Sequence, residues 1–291
     1  MILTIFFLFY LTRPVYYHSV IYIPKGSFNY TIKTLNKYHI DAGEIDYFVI
    51  KLLGYPQSGW VDLKDNKMSK FDFLYRITHN KAATRNITII PGETTYFVYK
   101  LLEKELYLNN LDCKFDEGFL KPDTYKLPIG ISKKYLCSYL YKISYNYHKN
   151  INETIFGKFI YQKYKRYLII ASLIQKEAAD KSEMRLISSV IYNRLKKHMR
   201  LQLDGSLNYG KYSHTKVSYK RIRTDFSRFN TYKYKGLPPS AVAIPSKEAI
   251  FAAIFPSKTD YLFFYKCGKY HRFTSSYKEH LKNIKECHNK N

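Results

Sequence analysis

The clearest periodic signal lies in the second half of the chain. In "LIIASLIQKEAAD" (168–180), Ile170, Leu173, Ile174 and Glu177 fall at i, i+3, i+4 and i+7, the spacing of one helical face. Residues 182–198 show the same pattern with Met184, Ile187, Ile191 and Leu195, and residues 133–148 show it with Leu136, Leu140 and Ile143. The spacing predicts helices over 133–148, 166–179 and 182–198. A short helix over 247–254 and two strands around 260–273 follow, with a hairpin turn at Cys267–Gly268.

The first half alternates differently. "IYIPKGSFNYTIKTL" (21–35) and "ITIIPGETTYFVYKLL" (87–102) each read as a β-branched run, a Pro/Gly turn, a polar cap (Ser27; Glu93 with Thr94) and a helix. "SGWVDLKDNKMSKFDFLYRI" (58–77) repeats the plan with Ser69 as N-cap. "DEGFLKPDTYKLP" (116–128) reads as a turn-rich passage into a second domain. The fold class is therefore α+β, a small β/α module followed by a mixed helical and β domain. At the front, "ILTIFFLFYL" (2–11) is uncharged and almost wholly apolar. It falls short of the ~20 residues of a spanning helix, so it reads as a short or incomplete membrane anchor, with a buried core strand and a signal core lacking its basic n-region as the other readings.

Composition adds three constraints. With 291 residues, 46% of them hydrophobic, the chain has enough apolar content for a sizeable core. A formal net charge of +25 favours polyanions: nucleic acid, anionic lipid or an acidic wall. The lysines are spread along the chain and no recognition motif accompanies them, which points away from nucleic acid. The cysteines, at 113, 137, 267 and 287, show no CxxC or zinc-type spacing, so free thiols and no metal are expected. No GxSxG, HExxH, P-loop or GxGxxG occurs, so no cofactor is expected either.

Glu177 carries the candidate chemistry. A carboxylate on an apolar stripe is either a buried ion-pair partner for one of the many lysines and arginines, or a desolvated acid held protonated for proton donation. The residues alone leave both open. Asp204, in "LQLDGS" after an apparent strand, is the best second carboxylate, although Asp-Gly is ordinarily a turn. Glu183 suits the first turn of a helix through the helix dipole. Asn230, Thr231 and Tyr232, ahead of the rigid "GLPPS" (236–240), suit sugar recognition or an ordinary loop, and His271 reads as a solvated strand residue.

"ASLIQKEA" (171–178), "SEMRLISSVIYNRLKKHMRLQLD" (182–204), "NTYKYKGLPPSAVAIPS" (230–246), "FPSKTDYLFF" with "HRF" (255–273) and "EGFLKPDTY" (117–125) resemble, in this order, the YceG-like endolytic murein transglycosylases. The resemblance implies a membrane anchor over 1–13, a LysM-like module over 14–85 and a YceG-like catalytic domain over 86–291. It implies a lyase that cleaves nascent peptidoglycan strands between N-acetylmuramic acid and N-acetylglucosamine, leaving 1,6-anhydro ends. It also implies a single pass through the cytoplasmic membrane, domains facing the periplasm or exterior, and peptidoglycan synthases as neighbours. The catalytic glutamate falls on Glu177, and Asn193, Arg194, Gln202, Asp204, Asn230 and Tyr232 fall on cleft motifs. Two departures stand out: Gln175 where the family has Glu, and Leu203-Asp204-Gly205-Ser206 where it has Thr-Asp-Pro-Thr. A non-catalytic wall-binding or scaffold protein is the alternative from another class.

Overall fold

The computed structural model of the chain describes residues 2–17, 20–56, 58–80 and 83–288. Helices α1 (Ile2–Thr12), α2 (Phe28–Lys37), α3 (Glu44–Leu53) and α4 (Lys70–His79) alternate with strands β1 (Pro14–Tyr16), β2 (Val20–Ile23), β3 (Gly59–Asp62) and β4 (Lys67–Ser69). Strand β5 (Thr84–Thr88), helix α5 (Thr95–Leu106) and strand β6 (Thr124–Pro128) come next. Helices α6 (Lys133–Phe156), α7 (Tyr161–Glu177), α8 (Met184–Lys196), α9 (Tyr219–Thr224) and α10 (Lys247–Ile254) lead to β7 (Phe263–Cys267), β8 (Tyr270–Thr274) and α11 (Tyr277–His288). Strands pair two by two, β1 with β4, β2 with β3, β5 with β6 and β7 with β8, which makes the fold α+β.

Contacts divide the chain into two units. The first runs to Ile87 and adds Glu103–Asn109 and Tyr125–Ser132; the second holds the remainder. In the first, Ile21 and Ile23 of β2, Val61 of β3, Leu35 of α2 and Phe73, Leu74 and Ile77 of α4 form one core. Ser69 caps α4 as its position predicts, its Oγ accepting from the Asp72 N–H. A buried ion pair sits beside this core. Asp46 accepts from the Gly43 N–H at 2.8 Å and the Tyr10 hydroxyl at 2.7 Å, with Lys70 Nζ 3.3 Å away. Such a pair is tolerable inside a protein only when its remaining polar groups are bonded as well.

The apolar N-terminal run is helical. Through Tyr10, and through Phe7 and Leu11 against the core, α1 docks one side on the first unit. Phe6 and Phe9, 70% and 69% exposed, lie on its open side. Among the described residues no helix is long and apolar enough to cross a membrane.

The second unit is built around α7. Leu168, Ile170, Leu173 and Ile174 pack against Met184, Ile187 and Ile191 of α8 and Ala249 and Ile250 of α10. Helix α6 runs eight residues past the predicted end at 148, because Ile151 and Asn152 are also buried. The cysteines are not free: Cys113 pairs with Cys137 and Cys267 with Cys287, the Cα atoms 5.3 and 5.8 Å apart. Partners separated by 24 and 20 residues leave no local spacing signal.

Candidate active site

Ile170, Leu173 and Ile174 are fully buried, and Glu177, one turn on, is the last residue of α7. The residue keeps some exposed surface, while its carboxyl group is desolvated by burial. Burial pushes its pKa up to about 7; the Asp204 charge raises it too, and a hydrogen bond from Gly205 opposes both. The helix C-terminus, negative end of the peptide dipole, also disfavours an anion at this position. Among the described residues no cation is paired with the ionised form.

The Gly205 N–H donates to Glu177 Oε1 at 2.6 Å. A Cβ at 205 would lie 2.5 Å from Lys176 Cβ and 3.0 Å from Glu177 Oε1, so only glycine brings the backbone this close. The segment is not a strand but an extended loop closing into a 3-10 helix, Asp204–Leu207. Leu201 and Leu203 anchor it in the core. Thr231 holds it from outside, its carbonyl accepting from the Gln202 N–H at 3.1 Å and its Oγ1 from the Leu203 N–H at 3.0 Å. Next to Gly205, Asp204 Oδ1 accepts from the Tyr232 hydroxyl at 2.6 Å. Burial and the Asp204 carboxylate raise the Tyr232 pKa, so the phenol stays protonated and donates.

The match to the YceG-like family model runs over residues 21–286. The chain belongs to the YceG-like family. Two relatives, each named endolytic murein transglycosylase, are similar to it. One, from Bacillus subtilis strain 168, is 31% identical over 268 residues, covering 84% of this chain and 70% of the relative. The other, from Streptococcus pneumoniae strain R6, is 30% identical over 185 residues, 58% of this chain and 32% of the relative. A crystal structure of a YceG-like protein from Listeria monocytogenes has the same fold, with TM-score 0.61 and 24% identity over 90% of this chain and 97% of that one.

Within this YceG-like domain the residues singled out by the motifs fall into two groups. Glu177, Asp204 and Tyr232 come together through Gly205, and Gln202 lies exposed on the same loop with φ +50°. Asn193, Arg194 and Asn230 bind the protein's own backbone. Asn193 Nδ2 donates to the Thr259 and Tyr261 carbonyls, and Asn230 Nδ2 to those of Ile222 and Asp225. Arg194 donates to Leu262 O at 2.6 Å, Leu201 O at 2.8 Å and Gln202 Oε1 at 3.3 Å, its guanidinium 5.2 Å from the Phe263 ring. Being planar and five-donor, it staples the hairpin β7–β8 to the loop that carries Asp204 and Gly205.

Several groups escaped the reading of the sequence. Glu183 and His271 are not solvent-facing: both side chains are 6% exposed, and Glu183 Oε2 lies 2.8 Å from His271 Nδ1. Glu183 also accepts from the His271 N–H, which fixes the start of α8 to the hairpin. Lys176 turns away from the Glu177 side and donates to Ser213 Oγ at 2.7 Å; burial lowers its pKa, while Glu93 and Glu117 favour its charge. Glu117 is held by the N–H and hydroxyl of Thr95 and by the Gly118 N–H. Gln175 Oε1 accepts from the Ser246 N–H at 3.0 Å, and Ser172 Oγ from the Val242 N–H at 3.0 Å. Of these, Gly118 left a trace: "EGF" needs φ +80°, and a Cβ there would lie 2.7 Å from that of Ala241.

Proposed function

We propose that this chain is an endolytic murein transglycosylase with Glu177 as its single acid and base. One observation carries the assignment. Glu177 is a desolvated carboxyl without a cationic partner among the described residues, oriented by a backbone N–H beside a second carboxylate. That environment favours the protonated acid near neutral pH, the form that donates to a glycosidic oxygen. The name shared by the relatives agrees with it.

Glu177 gives its proton to the bridging oxygen as the bond from the muramic anomeric carbon breaks, leaving an oxocarbenium-like centre. The glutamate then takes the proton of the same sugar's C6 hydroxyl as that oxygen bonds to the anomeric carbon. The products are a 1,6-anhydro end and a new strand end, with no water consumed. Because the nucleophile is part of the substrate, tethering replaces a positioned water. Asp204 and Tyr232 border the acid, and Gln202 lines the same surface. Asn193, Arg194 and Asn230 act by holding these loops.

In this reading residues 1–13 serve as the membrane anchor, 14–85 as a LysM-like module and 86–291 as the catalytic domain. The chain would cross the cytoplasmic membrane once, with its domains in the periplasm or cell exterior near peptidoglycan synthases. The two disulfides support an oxidising compartment, where such bonds persist. The open apolar side of α1 supports a lipid neighbour.

Mass spectrometry of glycan strands digested by wild type and Glu177→Gln tests the proposal. Anhydro-ended fragments from wild type and none from the variant are expected. Reducing ends would mean a hydrolase, and no fragments at all a wall-binding protein.

A further inference from the structure

Beside the Glu177 surface, the charge of the chain stops being evenly spread. In residues 210–235, eight of 26 positions are Lys or Arg against one acid, Asp225, while the whole chain has 48 in 291. The segment begins three residues after the 3-10 helix that carries Asp204 and ends three residues after Tyr232. Both of its ends therefore join the stretches that carry Asp204 and Tyr232, which meet beside Gly205.

The segment has its own fold. Tyr209 stacks on Phe229 at 4.3 Å, and Arg221 lies 4.3 Å from the Tyr212 ring. Asn230 ties Ile222 to Asp225 through their carbonyls. Arg221 is half of an ion pair with Asp225. Lys211, Lys216, Lys220, Arg223 and Lys235 instead project into solvent, and none has an ion-pair partner among the described residues. Unpaired cations concentrated on a packed loop repel one another, a cost a merely soluble surface avoids by interspersing acids.

Murein tells the two parts of its structure apart by charge. While the stems are attached, their amide bonds occupy the muramic lactyl carboxyls, so the sugar backbone is neutral and the carboxylates sit on the peptide stems. A neutral saccharide chain has no use for five free cations, whereas a stem presents carboxylates to them. We propose that segment 210–235 binds the peptide-stem carboxylates of the strand being cut, so that the enzyme reads stem-bearing glycan and discriminates against denuded glycan. This rests on the transglycosylase reading above and adds the substrate form to it.

The test compares two substrates: uncross-linked glycan strands with stems, and the same strands stripped by an amidase, with the lactyl carboxylates that this frees then capped as amides to make the chain neutral. Wild type is expected to favour stem-bearing strands in kcat/KM by roughly fivefold, the size two exposed ion pairs supply. Raising the salt from 0.1 to 1 M, which shortens the screening length from about 10 to about 3 Å, should remove most of that preference. The combined variant Lys211→Gln, Lys216→Gln, Lys220→Gln, Arg223→Gln should cut both substrates alike, at the wild-type rate on stripped strands. Equal use of the two substrates by wild type would overturn the proposal while leaving the transglycosylase reading intact. Cleavage of neither would instead sink that reading, and the proposal with it. A variant that keeps the stem preference but no longer binds phosphatidylglycerol vesicles would also overturn the proposal, and would make the segment a membrane surface.

Discussion

Replacing Glu177 by Gln should make the protein more stable as the pH rises, although it removes the acid. The Glu177 carboxyl titrates at about 7 in the fold against an ordinary 4.5, because ionising it there means charging a desolvated group. A carboxyl whose folded pKa is raised stabilises the fold while both states are protonated, and that contribution is lost progressively from pH 4.5 to 7. A shift of this size corresponds to something on the order of 3 kcal/mol above pH 7. Gln keeps an oxygen for the Gly205 N–H and cannot ionise, so any cost of its amide is the same at every pH. The stability of the variant minus that of wild type should therefore climb by about 2–3 kcal/mol between pH 5 and 8.5. In thermal melts of a domain this size it would be a relative gain of roughly 5–10 °C. Urea titrations of both proteins at several pH values measure it, and groups not coupled to Glu177 cancel in the difference. A difference that stays flat from pH 5 to 8.5 would show that Glu177 ionises as it does in water, and the argument from desolvation would fail.

Three further outcomes follow from the same geometry. Gly205→Ala pushes the loop off Glu177; the rate of anhydro-product formation should drop at least tenfold, and the loss of activity with rising pH, centred near 7 in wild type, should move to higher pH because the opposing hydrogen bond is gone. Arg194→Lys keeps the charge but cannot reach Leu262, Leu201 and Gln202 together; it should cost about 2–4 kcal/mol in urea unfolding and lower kcat more than it raises KM. Replacing Cys267 and Cys287 by Ser frees α11 from β7 across a 20-residue separation; calorimetry should show a loss of about 3 kcal/mol and wild type treated with reductant should move toward the variant.

What the sequence disclosed was periodic or punctuated. The stripe of Ile170, Leu173, Ile174 and Glu177 is one buried face of α7, and Ser69 caps α4, because helical spacing and capping are local properties. Glu177 was identifiable as the odd charge on that face, but whether a cation met it was not, since that depends on a loop 28 residues away. Arg194, Asn193 and Asn230 drew notice as polar residues in a cleft motif. Their hydrogen bonds end mostly on backbone carbonyls, distant ones for Asn193 and nearby ones for Asn230, and a carbonyl is the same at every position, so nothing in the residue types announces it. The Glu183–His271 pair joins residues 88 apart, and the disulfides join cysteines in separate elements; such contacts are decided by how elements pack.

The bond from Gly205 to Glu177 decides more than a pKa. With Oε1 accepting the N–H, the proton of the neutral acid resides on Oε2, so in the proposed reaction one oxygen atom first gives the proton and later receives one. The departing bridge oxygen and the arriving C6 oxygen must then both visit the same side of the sugar's anomeric carbon. Direct backside displacement is incompatible with that arrangement. The positive centre has to be held, as the oxocarbenium ion or by the sugar's own 2-acetamido oxygen on the opposite face, until the cut strand withdraws from Oε2, which makes the exit of the departing glycan a step of the chemistry itself.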